Sequence, residues 1–182
     1  MQKSLMPPKQ VKSADDFQTP AIALKPLLPY LKRELIIWEC AEGNGNITKA
    51  LRKWGFNVIG TDILTGTDFL TDKIDRFDCI VTNPPYSKKE EFITRCYTLG
   101  KPFALLMPLT ALEGQKRQAL FKKYGLQLIL LNRRINFEKI GNVSGSWFAT
   151  CWITWKLNLP RDIIFATIPF LSKDRNILEK YS

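Results

Sequence analysis

Residues 83 to 86 read Asn-Pro-Pro-Tyr and are the part of the chain best suited to chemistry. They follow an apolar stretch at residues 77 to 81 that predicts a buried strand. Because two successive prolines fix φ and carry no N–H, the carbonyl groups of Asn83 and Pro84 have no local donor to pair with. Together with the side-chain oxygen of Asn83 they can accept both hydrogens of a planar amino group, while the ring of Tyr86 covers the attached aromatic plane. The motif predicts a site for adenine, cytosine or an amide, although it also suits an ordinary strand-ending turn.

A glycine-rich segment upstream is a second candidate for ligand binding. Residues 35 to 38 predict a buried strand that runs into the loop at 39 to 46, and a helical pattern continues to Trp54. Gly43 and Gly45 permit a tight turn and close approach of the backbone to a ligand. The N–H groups and the dipole at the start of the helix would face the same ligand. The order of strand, glycine turn and helix therefore predicts a ligand at the end of the strand.

The next predicted strand, at residues 57 to 60, ends close to an acidic residue. Asp62 lies about where an acid binds the ribose hydroxyls in a nucleotide-binding βαβ unit. Position 48 is Thr48 rather than a third glycine, and no Lys-Ser or Lys-Thr pair follows the loop. These two features disfavour a nicotinamide dinucleotide site and a phosphate-binding P-loop, respectively.

The later part of the chain continues the alternation of strands and helices. The pattern predicts a strand at 102 to 107, a helix at 110 to 124, and strands at 126 to 131 and 147 to 155. The last two strands are joined by a loop alone, so we expect them to pair antiparallel. The predicted fold is therefore α/β, a Rossmann-like doubly wound and mostly parallel sheet with an antiparallel C-terminal hairpin. We expect the polar loop at 138 to 146 to be mobile without substrate.

The composition is typical of a globular domain that stays inside the cell. Hydrophobic residues make up 45% of the 182 residues, and no apolar stretch approaches the roughly 20 residues that a membrane span needs. The four cysteines show no Cys-x-x-Cys spacing, so we expect reduced thiols and a cytoplasmic location. The chain has no histidine, which argues against Ser-His-Asp chemistry and the usual zinc sites, and we expect no metal.

The charge balance favours a polyanionic partner. The chain carries 27 Lys and Arg against 17 Asp and Glu, a formal net charge of +10. Lys88 follows the Asn-Pro-Pro-Tyr motif, and Arg133 and Arg134 lie before the final hairpin, where they could hold phosphates around a base swung into the site. The basic pairs at 116 to 117 and 122 to 123 more simply form the solvated face of a helix. We therefore predict nucleic acid as the partner, and the charge does not distinguish DNA from RNA.

Together, the glycine loop, Asp62 and the Asn-Pro-Pro-Tyr motif resemble the class I S-adenosylmethionine-dependent methyltransferases. Within that family the motif is similar to that of the amino-methyltransferases that modify N6 of adenine in nucleic acid. The resemblance covers roughly residues 15 to 155. It implies the class I methyltransferase fold, S-adenosylmethionine as cofactor, and methyl transfer to the exocyclic amino group of adenine, most simply in DNA.

The resemblance also implies roles for individual residues. It places around the cofactor Phe17, Thr19, Glu39, Cys40, Ala41, Gly43, Gly45, Asp62, Ile63, Asp68, Phe69 and Asn83. In that family the first two positions hold the methionine carboxylate, the glycine loop surrounds the methionine and sulfonium, and the acids and apolar residues after the second strand hold the ribose and adenine. The catalytic motif would be Asn83, Pro84, Pro85 and Tyr86. Substrate contacts would be Tyr86, Lys88, Arg133, Arg134, Phe137, Trp147 and Phe148. The aromatic members could instead be core residues, and the acidic members turn residues.

Two features depart from that family. Glu42 adds a carboxylate inside the glycine loop, and 182 residues leave no room for a separate target-recognition domain. We therefore expect low sequence specificity, or specificity supplied by short loops, a partner protein or a homo-oligomer. Three alternatives stay open: methylation of adenine in RNA, methylation of a protein glutamine, and a non-catalytic nucleic-acid-binding module that keeps the fold.

The domain organisation that we predict has three parts. Residues 1 to 14 form a flexible basic N-terminal arm without the apolar core of a signal peptide. Residues 15 to 157 form the catalytic domain, and residues 158 to 182 form a C-terminal extension. The extension contains an apolar run at 163 to 168 that could add a strand or mediate self-association.

Overall fold

A computed structural model describes residues 18–137 and 148–168 of the chain. The predictions that lie outside the described residues concern the N-terminal arm, the loop at 138 to 146, the end of the C-terminal extension, Phe17 and Trp147.

Seven strands form one mixed sheet in the described part of the chain. They are β1 (Ile36–Glu39), β2 (Asn57–Gly60), β3 (Cys79–Thr82), β4 (Phe103–Pro108), β5 (Gln127–Leu131), β6 (Thr150–Trp155) and β7 (Ile163–Ala166). Their order across the sheet is β2-β1-β3-β4-β6-β5-β7. Strand β6 runs antiparallel to its neighbours β4 and β5, and the other pairings are parallel. The predicted fold, a mostly parallel sheet with an antiparallel hairpin near the C-terminus, is confirmed.

Apolar residues on both faces of the central strands explain why helices cover both sides of the sheet. In β3, Cys79 and Val81 belong to one hydrophobic core and Ile80 belongs to the other. The helices are α1 (Asn46–Lys53), which packs on the first core, and α2 (Lys89–Leu99) and α3 (Gln115–Tyr124), which pack on the second. Within the described ranges, no helix has the length and apolar composition of a membrane span.

The single helix predicted over residues 110 to 124 is wrong, because the segment divides into a 3-10 turn at Leu109–Leu112 and α3. Gly114 lies between them with φ +99°, a conformation that L-residues rarely adopt. The side chain of Arg117 fills the space beside this glycine, and its Nε donates to the carbonyl of Ala111 at 2.8 Å. The glycine therefore redirects the chain before the helix begins.

The apolar run of the C-terminal extension forms an edge strand. Strand β7 pairs parallel with β5, in a register that sets Phe165 opposite Leu130. Of the two alternatives for this run, the structure shows an added strand.

The ion pairs of the basic segment join two helices. Lys116 and Arg117 on α3 lie 3.2 and 3.5 Å from the carboxylate oxygens of Glu90 on α2. Lys116 is well exposed, so its pair contributes little to stability. These two side chains lie away from the cavities described below.

All four cysteines are buried and carry free thiols, as expected. Burial raises the pKa of Cys79 and of Cys151 to about 12, so both remain protonated at neutral pH. Burial also raises the pKa of Cys40, which lies next to the glycine loop. None of these thiols is suited to act as a nucleophile.

Candidate active site

A cavity of about 630 Å³ opens at the carboxyl edge of the parallel strands. The loops that follow β1, β2 and β3 meet there because parallel strands end at the same edge of a sheet. Its volume is typical of a small-molecule site. It is lined by Gln18, Thr19, Cys40, Ala41, Glu42, Gly43, Asn44, Asn46, Ile47, Asp62, Ile63, Leu64, Asp68, Phe69, Leu70, Asn83, Pro85, Ser87, Lys88 and Phe92.

The glycine loop between β1 and α1 forms one wall of the cavity. Gly43 and Gly45 have φ +53° and +77°, so both need the left-handed conformation that glycine adopts without strain. The N–H of Gly45 donates to the carbonyl of Glu42 at 2.8 Å, and Gly45 then caps α1. The side-chain oxygen of Gln18 accepts from the N–H of Asn44 at 3.1 Å, so the segment before the first strand holds the loop from outside.

The carboxylate of Asp62 joins this loop to the turn after β2. One of its oxygens accepts from the N–H of Gly43 and the other from the N–H of Leu64, both at 2.9 Å. The next two side chains are unusually exposed for their type, with Ile63 at 59% and Leu64 at 90%. An acid held in place beside exposed apolar side chains can bind hydroxyl groups and a flat ring at the same time.

Glu39, at the end of β1, links the glycine loop to the end of β3. Its Oε1 accepts from the N–H of Ala41 at 3.0 Å and from the hydroxyl of Thr82, the residue before Asn83. The side chain is only 1% exposed, and its Oε2 has no hydrogen-bond partner among the residues that the structure describes. A buried carboxylate oxygen without a partner is costly and indicates that a donor or cation completes the site.

The electrostatic surroundings of Glu39 favour its neutral form in the absence of such a partner. Burial raises its pKa to about 8, and the nearby carboxylates of Glu42 and Asp62 act in the same direction. The hydrogen bonds from Thr82 and Ala41 act in the opposite direction but do not outweigh burial. At neutral pH the carboxyl group is therefore mostly protonated, and a cation placed beside it would favour the carboxylate.

Glu42 lies along the cavity wall rather than pointing fully into solvent. Its carboxylate occupies the space where a Cβ at Gly60, the last residue of β2, would lie. The absence of a side chain at position 60 thus creates room for this carboxylate. The carboxylates of Glu42 and Asp62 both line this side of the cavity, which makes it suited to a cationic ligand.

The Asn-Pro-Pro-Tyr motif borders the opposite side of the cavity. Asn83 and Pro85 line it, whereas Pro84 is buried. The ring of Tyr86 meets the ring of Phe148 edge to face, with centroids 5.4 Å apart and an angle of 73° between the planes. An amide and an aromatic pair therefore lie next to each other at the edge of the cavity.

Phe69 forms part of the cavity floor and also belongs to the core. Its ring stacks on Phe92 at 4.7 Å and meets Trp38 edge to face at 5.1 Å. The preceding residue, Asp68, accepts the N–H of Leu70 at 2.9 Å. The pair is structural and also lines the cavity, and its role in cofactor binding stays a prediction.

The structure brings many, but not all, of the predicted site residues together. Those that line the cavity are Thr19, Cys40, Ala41, Gly43, Asp62, Ile63, Asp68, Phe69, Asn83, Pro85 and Lys88. Those that do not line it are Glu39, Gly45, Pro84, Tyr86, Arg133, Arg134, Phe137 and Phe148. Arg133 and Arg134 line a separate cavity, and Phe137 is a core residue with its ring 6.3 Å from that of Phe148. Their roles in binding stay predictions.

Several lining residues were not predicted from the sequence. They include Gln18, Asn44, Asn46, Leu64 and Ser87. Gln18 could have been suspected from its place between two predicted contacts, Phe17 and Thr19. Its bond to the glycine loop spans 26 residues and could not have been read from a local pattern.

No protein-family model and no curated protein sequence matches the chain. Several solved structures, by contrast, align with the chain. A protein described as a modification subunit of a type I restriction enzyme from Vibrio vulnificus aligns with a TM-score of 0.52 and 12% identity, over 94% of this chain and 53% of that one. The chain has the class I methyltransferase fold. The chain thus spans about half the length of the restriction-enzyme subunit. A TehB-like S-adenosylmethionine-dependent methyltransferase from Corynebacterium glutamicum aligns with a TM-score of 0.46 and 17% identity, over 74% of this chain and 86% of that one.

Proposed function

We propose that the protein is an S-adenosylmethionine-dependent methyltransferase that modifies the exocyclic amino group of adenine in nucleic acid, most simply DNA. One observation carries the proposal: a single cavity joins the glycine loop, with its Glu42 carboxylate, to Asn83 and Pro85. The first element suits a cationic cofactor that contains a nucleoside, and the second suits the amino group that accepts the methyl.

The residues at the cavity fit S-adenosylmethionine. Glu39 does not line the cavity, but it accepts from the N–H of Ala41, which does, and its other buried oxygen has no partner in the described part of the chain. Together with Glu42 on the cavity wall, it would favour a cation. Asp62 is positioned for the ribose hydroxyls, and the exposed side chain of Ile63 is suited to cover the adenine. Thr19 and the glycine loop would hold the methionine end. When bound, the cofactor supplies an electrophilic methyl group on a sulfonium.

The Asn-Pro-Pro-Tyr motif would orient the acceptor. The Asn83 side-chain oxygen and the Pro84 carbonyl would accept the two amino hydrogens of adenine, which draws the nitrogen lone pair out of conjugation with the ring. Tyr86 would cover the base. Alignment and preorganised acceptors can contribute several kcal/mol to the rate, so the site needs no strong base.

Charge and fold make DNA the first polymer to test. The net charge of +10 favours a polyanion, and Lys88 lines the cavity beside the motif. The fold is shared with a protein described as a restriction-enzyme modification subunit. Adenine in RNA and glutamine in protein carry the same kind of amino group, so they belong in the same experiment.

The test offers the purified protein labelled S-adenosylmethionine together with duplex DNA, single-stranded DNA, RNA or protein extract, and identifies the modified unit by mass spectrometry. Methyladenine in a nucleic acid is the expected result. Methylglutamine would move the function to protein. Failure to bind the cofactor by calorimetry would overturn the proposal in favour of a non-catalytic module.

Asn83→Ala tests the mechanism within this function. The variant should bind S-adenosylmethionine as well as the wild-type protein does and should lose at least about two orders of magnitude in turnover, the scale for removal of one preorganised hydrogen-bonding group. Asn57→Ala is the matched control, because Asn57 is exposed and begins β2 at the opposite edge of the sheet. Near-normal turnover in Asn83→Ala would contradict the proposed role.

A further inference from the structure

A second cavity, of about 360 Å³, opens at the same edge of the sheet as the first. It lies where β5 ends and β6 begins, and Phe165 of the edge strand β7 contributes to its wall. The register pairs Leu130 with both Cys151 and Phe165, so three neighbouring strands present their ends there.

The chemical groups at the second cavity are those that bind a nucleotide. Arg133 and Arg134 supply guanidinium groups, which suit the geometry of a phosphate. Phe165 is 84% exposed and offers an open aromatic face. Thr150 also lines the cavity; it is 3% exposed, and its hydroxyl has no hydrogen-bond partner among the described residues. A buried hydroxyl in that state indicates a missing polar ligand.

The two cavities are connected by an aromatic contact. Tyr86 lies in the loop that borders the first cavity and meets the ring of Phe148, and Phe148 is followed directly by Ala149 and Thr150 at the second cavity. Two to three strand positions separate β3 from β6 and β5. At about 4.8 Å a strand, this corresponds to about 10 to 15 Å, the length of three to four stacked nucleotides at about 3.4 Å each.

We propose that the second cavity binds a nucleotide that lies three to four positions from the target adenine on the same strand. Phe165 stacks on its base, Arg133 and Arg134 contact its phosphate, and the Thr150 hydroxyl hydrogen-bonds to it. The inference rests on the proposed function, and it gives the added strand β7 a role in holding the polymer. It also accounts for the separation of the two arginines from the first cavity.

The experiment measures binding of a labelled single-stranded oligonucleotide of about twelve thymidines with one central adenine, a length within the usual range of single-strand sites. Single abasic positions are moved along the strand. For the wild-type protein, an abasic position three or four nucleotides from the adenine, on one side, should weaken binding by about 5- to 150-fold, the range for loss of one base stack.

Phe165→Ala should cause a similar loss with the intact oligonucleotide and should then be insensitive to the abasic position. Phe165→Tyr should keep both the affinity and the sensitivity. Ile163→Ala is the matched control, because Ile163 is an exposed apolar residue of the same strand that lines neither cavity. Phe165 is exposed, so a thermal unfolding curve should show that its variants fold normally.

The outcomes separate this inference from the proposed function. Methyl transfer to nucleic acid, with no effect of Phe165→Ala or of any flanking abasic position, would overturn the inference alone. Binding that depends on Phe165 and on one abasic position, without methyl transfer, would support the nucleotide site and overturn the catalytic proposal. Absence of oligonucleotide binding would overturn the inference, and the proposed function would then stand or fall on methyl transfer to duplex DNA or RNA.

Discussion

The buried carboxyl group of Glu39 should make the stability of the protein depend on pH. Its pKa is raised from an ordinary value of 4.5 to about 8 in the folded protein, chiefly by burial. Because the folded state binds this proton more tightly than the unfolded chain does, the stabilisation is fully present below about pH 4.5 and is lost as the pH rises towards 8.

The size of the effect follows from the difference between the two pKa values. A difference of about 3.5 pKa units, at about 1.36 kcal/mol for each unit, corresponds to a loss on the order of 5 kcal/mol between pH 4.5 and 8. That is a large share of the roughly 5 to 15 kcal/mol by which native proteins are stable. The side chain is only 1% exposed, so solvent screening reduces this value little.

Glu39→Gln tests the argument, because glutamine keeps the shape of the neutral carboxyl group and does not titrate. The free energy of unfolding should be measured in urea, without cofactor, at several pH values between about 5 and 8.5. The difference between variant and wild type should grow in favour of the variant by up to about 1.36 kcal/mol per pH unit. Glu34→Gln, at an exposed position, controls for the loss of one carboxyl group. A constant difference between Glu39→Gln and wild type across this range would refute the reasoning.

Three further predictions concern the same cavity. A cationic cofactor should lower the pKa of Glu39, so that binding releases a proton. The affinity for S-adenosylmethionine, measured by calorimetry, should therefore increase by up to about tenfold for each unit that the pH rises towards 8. An affinity that does not change with pH would argue against an interaction between Glu39 and the cation. Gly60→Ala should destabilise the protein by less than about 1 kcal/mol in urea unfolding, because the new Cβ would displace only the far end of the flexible Glu42 side chain; a loss above about 3 kcal/mol would show that this carboxylate cannot move. Tyr86→Ala should weaken productive binding of the nucleic acid by about 1 to 3 kcal/mol in single-turnover experiments, Tyr86→Phe should not, and equal rates for both would count against stacking.

The loops that follow the parallel strands show what local pattern could predict. The predicted bounds of β1, β3 and β4 differ from those in the structure by at most two residues at each end, and those of β2 are the same. The interiors of β1, β3 and β4 are buried, so hydrophobicity alone marks them, whereas β2 is exposed or half-buried. Parallel strands end at the same edge of a sheet. Once the fold is known, this edge is therefore where the glycine loop, Asp62 and Asn83 must lie.

The helix predicted at 110 to 124 failed for a reason that the pattern could not show. Glycine is tolerated in a helical pattern, and the left-handed φ of Gly114 and the packing of the Arg117 side chain beside it exist only in the folded structure. The position of the C-terminal apolar run was equally undecided, because a strand at a sheet edge and a strand at an interface between molecules have the same apolar pattern.

By itself the sequence determined the class of fold and the two motifs at the cavity, because both depend on short-range order: hydrophobic period, glycine turns and a proline-rich strand end. Only the tertiary structure decided which side chains share a site. It placed Arg133 and Arg134 at a second cavity, joined Glu39 to Thr82 across 43 residues, and set the Glu42 carboxylate over Gly60. These contacts depend on how distant segments pack, and burial, which raises the pKa of Glu39, exists only after that packing.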